Sequence, residues 1–417
     1  MLTFLRSVRK CASVCESARK KIGVKHRTAH SRTNQCKILG IETSCDDTGC
    51  AIVDDSGNIL GEALNSQQEI HLNHGGIVPP VARDLHLKNI EHVVQSALKN
   101  ANMKLEDVDA IATTVKPGLS LSLLVGMKYG KKLALESQKP FIPIHHMEAH
   151  ALTIRMVQKV EFPFLVLLIS GGHCLLAVAR NVDDFLLLGK SRDDAPGEAF
   201  DKVARRLKLR NRPNFCNMSG GAAIELAAQQ GDPLSLPFPA VMSHHRDCDF
   251  SFAGLKNKAR RHIIDQEENF GVGEDGIIPG VHDVCASFLL AVAKHLCRRV
   301  ERAMEYIELK CLLPPSNRVL VVSGGVASNK YIARMLGVVC REMKYKLAIP
   351  PPKLCTDNGV MIAWNGVEKW RAGIGIAQNI DEVDIEAKCI LGKDISLDVA
   401  KEDLKCDWIK EKILLAG

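Results

Sequence analysis

Apolar runs that end in small or polar turns set the rhythm of the chain. Lys37-Ile38-Leu39-Gly40-Ile41-Glu42 reads as a buried strand, and after the turn at 43–49 the run Cys50-Ala51-Ile52-Val53 reads as a second. Asp54-Asp55-Ser56-Gly57-Asn58 makes a hairpin turn before Ile59. The design recurs twice: residues 164–169 run into Ser170-Gly171-Gly172-His173, and residues 318–322 run into Ser323-Gly324-Gly325-Val326. An apolar strand ending in Ser-Gly-Gly lets backbone N–H groups converge on an anion with no side chain in the way. Helical spacing covers 89–100, 123–138, 200–209, 222–230, 283–308 and 330–344, while 233–245 and 267–279 read as loops. Strands and helices alternate, which predicts an α/β protein with mixed sheets covered by helices. The repeated strand ends suggest a duplicated, two-domain nucleotide-binding fold.

One stretch stands apart chemically. Pro143-Ile144-His145-His146-Met147-Glu148-Ala149-His150 places three histidines in six residues, with Pro143 suited to a helix entrance. His146 and His150, four apart, share one helix face and can grip one metal ion, whereas His145 points elsewhere. Asp357, in the polar loop Thr356-Asp357-Asn358-Gly359, can add the carboxylate of a His, His, Asp site with open positions. A zincin needs Glu directly after the first His, and Met147 stands there, so peptide hydrolysis is poorly supported.

The 417 residues are 46% apolar and 25% charged, as expected of a globular chain. The formal charge of +7 is concentrated at one end. Residues 1–37 hold ten Lys or Arg against the single acid Glu16, a surplus of nine that leaves the remainder two negative. Such an acid-poor leader, lacking an apolar core, suggests a mitochondrial presequence of residues 1–36. Fifteen cysteines without a Cys-x-x-Cys pair suggest reduced thiols rather than a zinc ribbon or a disulfide framework. The longest apolar run, 162–169, is too short to cross a bilayer, so no membrane insertion is expected.

Three blocks together, Gly40-Ile41-Glu42-Thr43-Ser44-Cys45-Asp46-Asp47-Thr48, His146-Met147-Glu148-Ala149-His150 and Cys355-Thr356-Asp357-Asn358-Gly359, give the chain a family likeness. It resembles the TsaD/Kae family of tRNA N6-adenosine threonylcarbamoyltransferases, and the leader makes it similar to the mitochondrial members. Further family-like blocks run in order from about residue 37 to 370. The resemblance implies an actin/Hsp70-like (ASKHA) duplicated fold with a nucleotide cleft between domains at 37–162 and 163–354. Residues 355–417 would supply the metal-ligand loop and helices returning to the N-terminal domain.

By the same resemblance, His146, His150 and Asp357 hold one divalent metal ion, iron or zinc, and Asp46 is catalytic. Ser170, Gly171 and Gly172 grip the phosphate of the donor, threonylcarbamoyl-AMP, with Ser323, Gly324, Gly325 and Thr356 at the facing ends. Asp201 and Glu225, with Gly221 beside them, hold the ribose, and Asn329 lies near the adenine. Family members carrying a Tyr ligand before Ser-Gly-Gly differ from this chain, which has none there. The implied partners are mitochondrial tRNA in the matrix and a separate enzyme that makes the adenylate, with a homodimer as a further expectation.

Because the remainder of the chain is acidic overall, RNA must bind locally. Arg205, Arg206 and Lys208 belong to an acid-free basic run from Lys202 to Arg212, and Lys256, Lys258, Arg260 and Arg261 form another. Two rival classes are a kinase of the actin-like superfamily and a nucleotide-dependent binding protein. The kinase would not need His-x-x-x-His, and the binding protein would tolerate loss of Asp46.

Overall fold

The computed structural model describes residues 35–74 and 76–416, so most of the expected leader lies outside the described residues. Two mixed sheets carry the fold. In the first, β1 (Lys37–Glu42), β2 (Asp47–Asp54) and β3 (Ile59–Ser66) form an antiparallel meander, and β4 (Ala110–Lys116) and β5 (Phe141–His145) follow parallel to β1. The order is β3-β2-β1-β4-β5. In the second, β6 (Phe164–Ile169), β7 (Cys174–Ala179) and β8 (Phe185–Lys190) repeat the meander, and β9 (Val319–Ser323) and β10 (Lys346–Ala348) repeat the parallel pair. Its order, β10-β9-β6-β7-β8-β11, is the same plan with β11 (Lys393–Asp394) added at the edge. This duplication is the one the strand ends suggested, and its plan is the actin-like architecture that the resemblance implied.

Helices cover the sheets according to the period-two pattern of the strands. On the first sheet Leu39, Ile41 and Ile52 pack against α1 (Pro79–Asn100) and α2 (Ser120–Ser137). α3 (His146–Leu152) and α4 (Ile154–Val157) follow β5 directly. On the second sheet Leu165, Leu167 and Ile169 meet a large layer that includes α5 (Pro196–Arg206), α6 (Gly220–Ala228), α7 (Ala253–Phe270), α8 (Val281–Lys310) and α9 (Lys330–Glu342). The opposite face of the first sheet, through Ile38, Ala51 and Val53, packs on Val360, Ala363 and Val367 of α10 (Gly359–Ala372). Here the backbones touch: a Cβ on Gly40 would stand 2.2 Å from the Ala363 nitrogen, and one on Gly359 would stand 2.4 Å from the Cys50 carbonyl carbon.

Helix α3 is buried along its whole length. Met147, Ala151 and Leu152 join the core beneath Phe164, Val166 and Leu168 of the second sheet, while Ala149 joins the core of α10 and the first. The helix is thus a wedge shared by both halves, and burying Met147 or Leu152 contributes roughly 1.5–3 kcal/mol each.

Several expectations need correction. Pro143 does not open a helix. It lies in β5, at the edge of its sheet, where a missing N–H costs no ladder bond, and the helix begins at His146. The helices at 89–100 and 283–308 are longer than expected, and α7 extends through 267–270, expected as loop. The C-terminal stretch returns to the first sheet only in part. Ala377 N donates to Phe141 O and Glu386 N to Val115 O, but β11 pairs with β8 and Leu414 is buried in the core of the second sheet.

Among the described residues no cysteine is joined in a disulfide, and no helix is long and apolar enough to cross a membrane.

Candidate active site

The site is assembled where strand ends meet helix starts. β5 ends at His145, whose Nδ1 accepts a hydrogen bond from Met147 N (3.1 Å) and so caps α3. That bond turns His145 away from its neighbours, as its position off the shared face suggested. His146 and His150 follow one turn apart, their rings edge to face with centroids 4.7 Å apart. Asp357 arrives from the start of α10. Asn358 caps that helix, accepting from Met361 N at 2.8 Å and donating to Thr356 O at 2.6 Å, which presents Asp357 toward α3. Asp357 Oδ1 lies 3.0 Å from His150 Nε2 and 3.5 Å from His146 Nε2.

One ligand atom from each of these three residues fits within a 4.8 Å span, with both histidines buried and Asp357 partly open. Two imidazoles and one carboxylate suit zinc or iron and leave coordination positions for substrate. The electrostatics agree with a cation there. Burial disfavours charge on His146, but Asp357 and Glu42 outweigh it and hold its pKa up at about 9. Burial also works against the charged form of Asp357, yet His146 and His150 hold it well below the usual carboxylate range.

Two neighbours have roles that the sequence reading did not assign. Glu42 is fully buried at the end of β1. Its Oε2 lies 3.3 Å from His146 Nδ1 and accepts from Thr114 Oγ1 at 2.5 Å, and its Oε1 accepts from Ser44 N at 2.5 Å. Ser44 Oγ stands 3.1 Å from the same His146 nitrogen. A carboxylate behind a ligating histidine sets its tautomer and raises its basicity. His173, at the tip of the Ser-Gly-Gly turn, has its ring centroid 6.2 Å from that of His146, and burial pushes its pKa down to about 4, with His146 adding. The signal for Glu42 was an acid at a buried position of an otherwise apolar strand.

Asp46 lies in the bend between β1 and β2, half-buried, with its pKa raised by burial and then by the charge of Asp357. Ser170 Oγ accepts from Gly172 N (3.3 Å) and His173 N (3.1 Å), shaping the turn, while Gly171 and Gly172 are exposed and have no atom within 4 Å of where a Cβ would stand. The second such end adjoins it, since β9 runs parallel to β6 with Ser323 opposite Leu168. Gly324 has φ +99° and a Cβ there would meet Ile169 O at 2.3 Å, a conformation and a contact only glycine accepts; Gly325 beside it is open.

Asp201 Oδ1 accepts from Gly220 N (2.8 Å), joining α5 to α6 next to Gly221. Glu225 Oε1 accepts from Lys330 N (2.7 Å) and Tyr331 N (3.3 Å), and Asn329 Oδ1 from Ile332 N (2.9 Å), so both side chains cap α9. Thr356 is exposed at the entrance to Asp357. Arg205, Arg206 and Lys208 line a hollow between α5 and α7 together with Lys202, Lys256 and Arg260. Arg206 and Lys208 pair with Glu267, and Lys202 and Lys256 with Asp194, whereas Arg205 and Arg260 are exposed. The basic run that is free of acids in sequence thus meets an acid in space, Glu267 of α7.

Comparison with known proteins gives the family. The model of the family described as TsaD, tRNA N6-adenosine threonylcarbamoyltransferase, matches residues 58–364. The mitochondrial tRNA N6-adenosine threonylcarbamoyltransferase of Mus musculus is 52% identical over 385 residues, covering 92% of this chain and 93% of its own. That of Homo sapiens is 52% identical over 376 residues, covering 90% and 91%. Among solved structures, HypF of T. kodakarensis shares the fold at 14% identity and a TM-score of 0.50, over 81% of this chain and 48% of its own. With a family model spanning most of the described strands and relatives matched almost end to end, the chain belongs to the TsaD family of tRNA N6-adenosine threonylcarbamoyltransferases.

Proposed function

We propose that this chain moves a threonylcarbamoyl group from threonylcarbamoyl-AMP to N6 of the adenosine 3′ of the anticodon in mitochondrial tRNAs reading codons that begin with A. The observation that carries the reading is the meeting of His146, His150 and Asp357 beside the open Ser170-Gly171-Gly172 turn, bridged by His173. One end can polarise an acyl oxygen and the other can hold a phosphate, which is what a mixed anhydride with AMP requires.

The exocyclic amine of adenosine is a weak nucleophile because its lone pair is shared with the ring. Its attack forms the N6–carbonyl carbon bond, and the bond from that carbon to the phosphate oxygen breaks, so AMP leaves with the electron pair. Asp46 accepts the N6 proton; its raised pKa makes it a better base than an exposed carboxylate. His146, His150 and Asp357 would hold a divalent ion, iron or zinc by the donor set, and it would supply Lewis acidity toward the acyl oxygen. The open glycines at 171, 172 and 325 receive the adenylate phosphate, and Asp201, Gly221, Glu225 and Asn329 border the place of its ribose and base.

The hollow between α5 and α7 is the proposed seat of the tRNA backbone, with the exposed Arg205 and Arg260 as its free cations. A separate enzyme makes the adenylate, and the reaction takes place in the mitochondrial matrix.

The test supplies purified protein with divalent metal, synthetic threonylcarbamoyl-AMP and unmodified tRNA, and reads modified nucleoside by mass spectrometry alongside AMP release. Equal amounts of both are expected. Release of AMP with no label on tRNA would leave a nucleotide-hydrolysing binding protein as the better account.

A further inference from the structure

The helices that bring the three ligands together are tied to each other by buried charges away from the ligand atoms. Glu148, between the two histidines on α3, forms an ion pair with Lys369 of α10 at 2.9 Å. Arg155 of α4 holds the adjacent Glu368, with Nε 2.8 Å from Oε1 and Nη2 3.4 Å from Oε2. Glu148, Glu368 and Lys369 are 8%, 5% and 6% exposed. Trp364, also on α10, donates its indole N–H to Leu152 O at 3.1 Å.

Buried ion pairs are poor sources of stability, because removing charges from water offsets much of their attraction. Their pattern here carries information instead. Two neighbouring residues of opposite sign on α10 meet two residues of opposite sign on α3 and α4. Any slip of α10 that exchanged the partners would set Glu368 against Glu148 and Lys369 against Arg155. Lys369 lies twelve residues beyond Asp357, about 18 Å along the helix at 1.5 Å per residue. A helix is stiff along its axis, so a displacement at that end reaches Asp357 undiminished.

We propose that Glu148–Lys369 and Arg155–Glu368 are positioning pairs that set the register of α10 against α3, and with it the placement of Asp357 opposite His146 and His150. The inference rests on the metal reading of those three residues. It makes Glu148 a determinant of metal affinity although its side chain is engaged with α10 and not with the ligand cluster.

The test titrates metal-stripped full-length chain with Co²⁺, following its visible absorption, and measures the urea midpoint of the metal-free form. Glu148→Gln and Lys369→Met each leave a buried partner uncompensated and lower both readouts. The double variant Glu148→Gln/Lys369→Met removes both charges, so its metal-free midpoint returns close to that of the wild type, while Co²⁺ binding stays about 10- to 100-fold weaker, the usual cost of losing a supporting contact. Wild-type Co²⁺ affinity in the double variant would overturn the proposal, leaving the pair with a stabilising role only. If that variant does not fold, Arg155→Met/Glu368→Gln carries the same comparison at the outer pair. Failure of the wild type to bind one Co²⁺ per chain would instead sink the metal reading.

Discussion

Glu42 and Asp357 approach opposite nitrogens of one imidazole: Glu42 Oε2 stands 3.3 Å from His146 Nδ1, and Asp357 Oδ1 stands 3.5 Å from Nε2. Glu42 thereby selects the tautomer that leaves Nε2 free to ligate. Glu42→Gln is expected to weaken metal binding about 10- to 100-fold. His146→Ala should abolish it, and His145→Ala should leave it intact while lowering stability by about 1 kcal/mol through loss of the α3 cap. Equilibrium dialysis with metal analysis separates these three outcomes; undiminished affinity in Glu42→Gln would remove the supporting role.

Asp46→Ala should keep its fold and its metal and yet transfer about 10²- to 10⁴-fold more slowly, the range typical of a lost general base. Single-turnover labelling of tRNA at saturating donor isolates this step. A rate within threefold of the wild type would assign the proton to another group.

Stability should fall as pH drops below about 6.5, through His295. The ring is buried beside Phe250 and Phe252, its Nε2 accepts from Ser251 N at 3.1 Å, and burial, with Arg299 and Arg298 adding, pushes its pKa down to about 3. Above pH 6.5 neither the folded nor the unfolded chain protonates it, so nothing is lost. Between 6.5 and 3 only the unfolded chain takes the proton, which costs the fold about 1.4 kcal/mol per pH unit. His295→Gln should therefore show a shallower decline in urea midpoint from pH 7 to pH 5. Parallel profiles would place the sensitivity elsewhere.

Arg205→Ala and Arg260→Ala should each weaken tRNA binding and lower the slope of log affinity against log salt by about 1. Arg206→Ala differs, because it leaves Glu267 paired with Lys208 alone and so less neutralised beside the hollow. Filter binding across a salt series gives all three; unchanged slopes would move the RNA surface to another face.

β1, β6 and β9 were readable in sequence because each is an apolar run stopped by small or polar residues, as at Ile169-Ser170 and Val322-Ser323, whereas Pro143 disguised β5 as a helix entrance. The histidine pair was readable because helical spacing alone puts His146 and His150 on one face. Asp357 was legible mainly through the family likeness, since a single Asp in a turn carries no periodic signal. Helix α10 shows no helical pattern of its own and was expected only through the family likeness: it is buried on nearly all sides, so Val360-Met361-Ile362-Ala363-Trp364 shows no polar face. β7 and β8 were missed for a related reason, as short runs apolar on both faces look the same in either secondary structure. The function of Glu42 depends on a contact 104 residues away, which no local pattern encodes.

The contact of α10 with β1 and β2 through Gly40 and Gly359 has a consequence for how the site can change over time. Main chain against main chain offers no rotamers to readjust, so the aperture between Asp357 and the histidines is dimensioned by the sheet itself. Gly40→Ala, one methyl group buried roughly 2 Å from the Ala363 nitrogen, would lever the carboxylate outward with no side chain able to yield. New substrate preferences in this scaffold must therefore arise at its loops, because the spacing of the proposed metal ligands is not open to gradual revision.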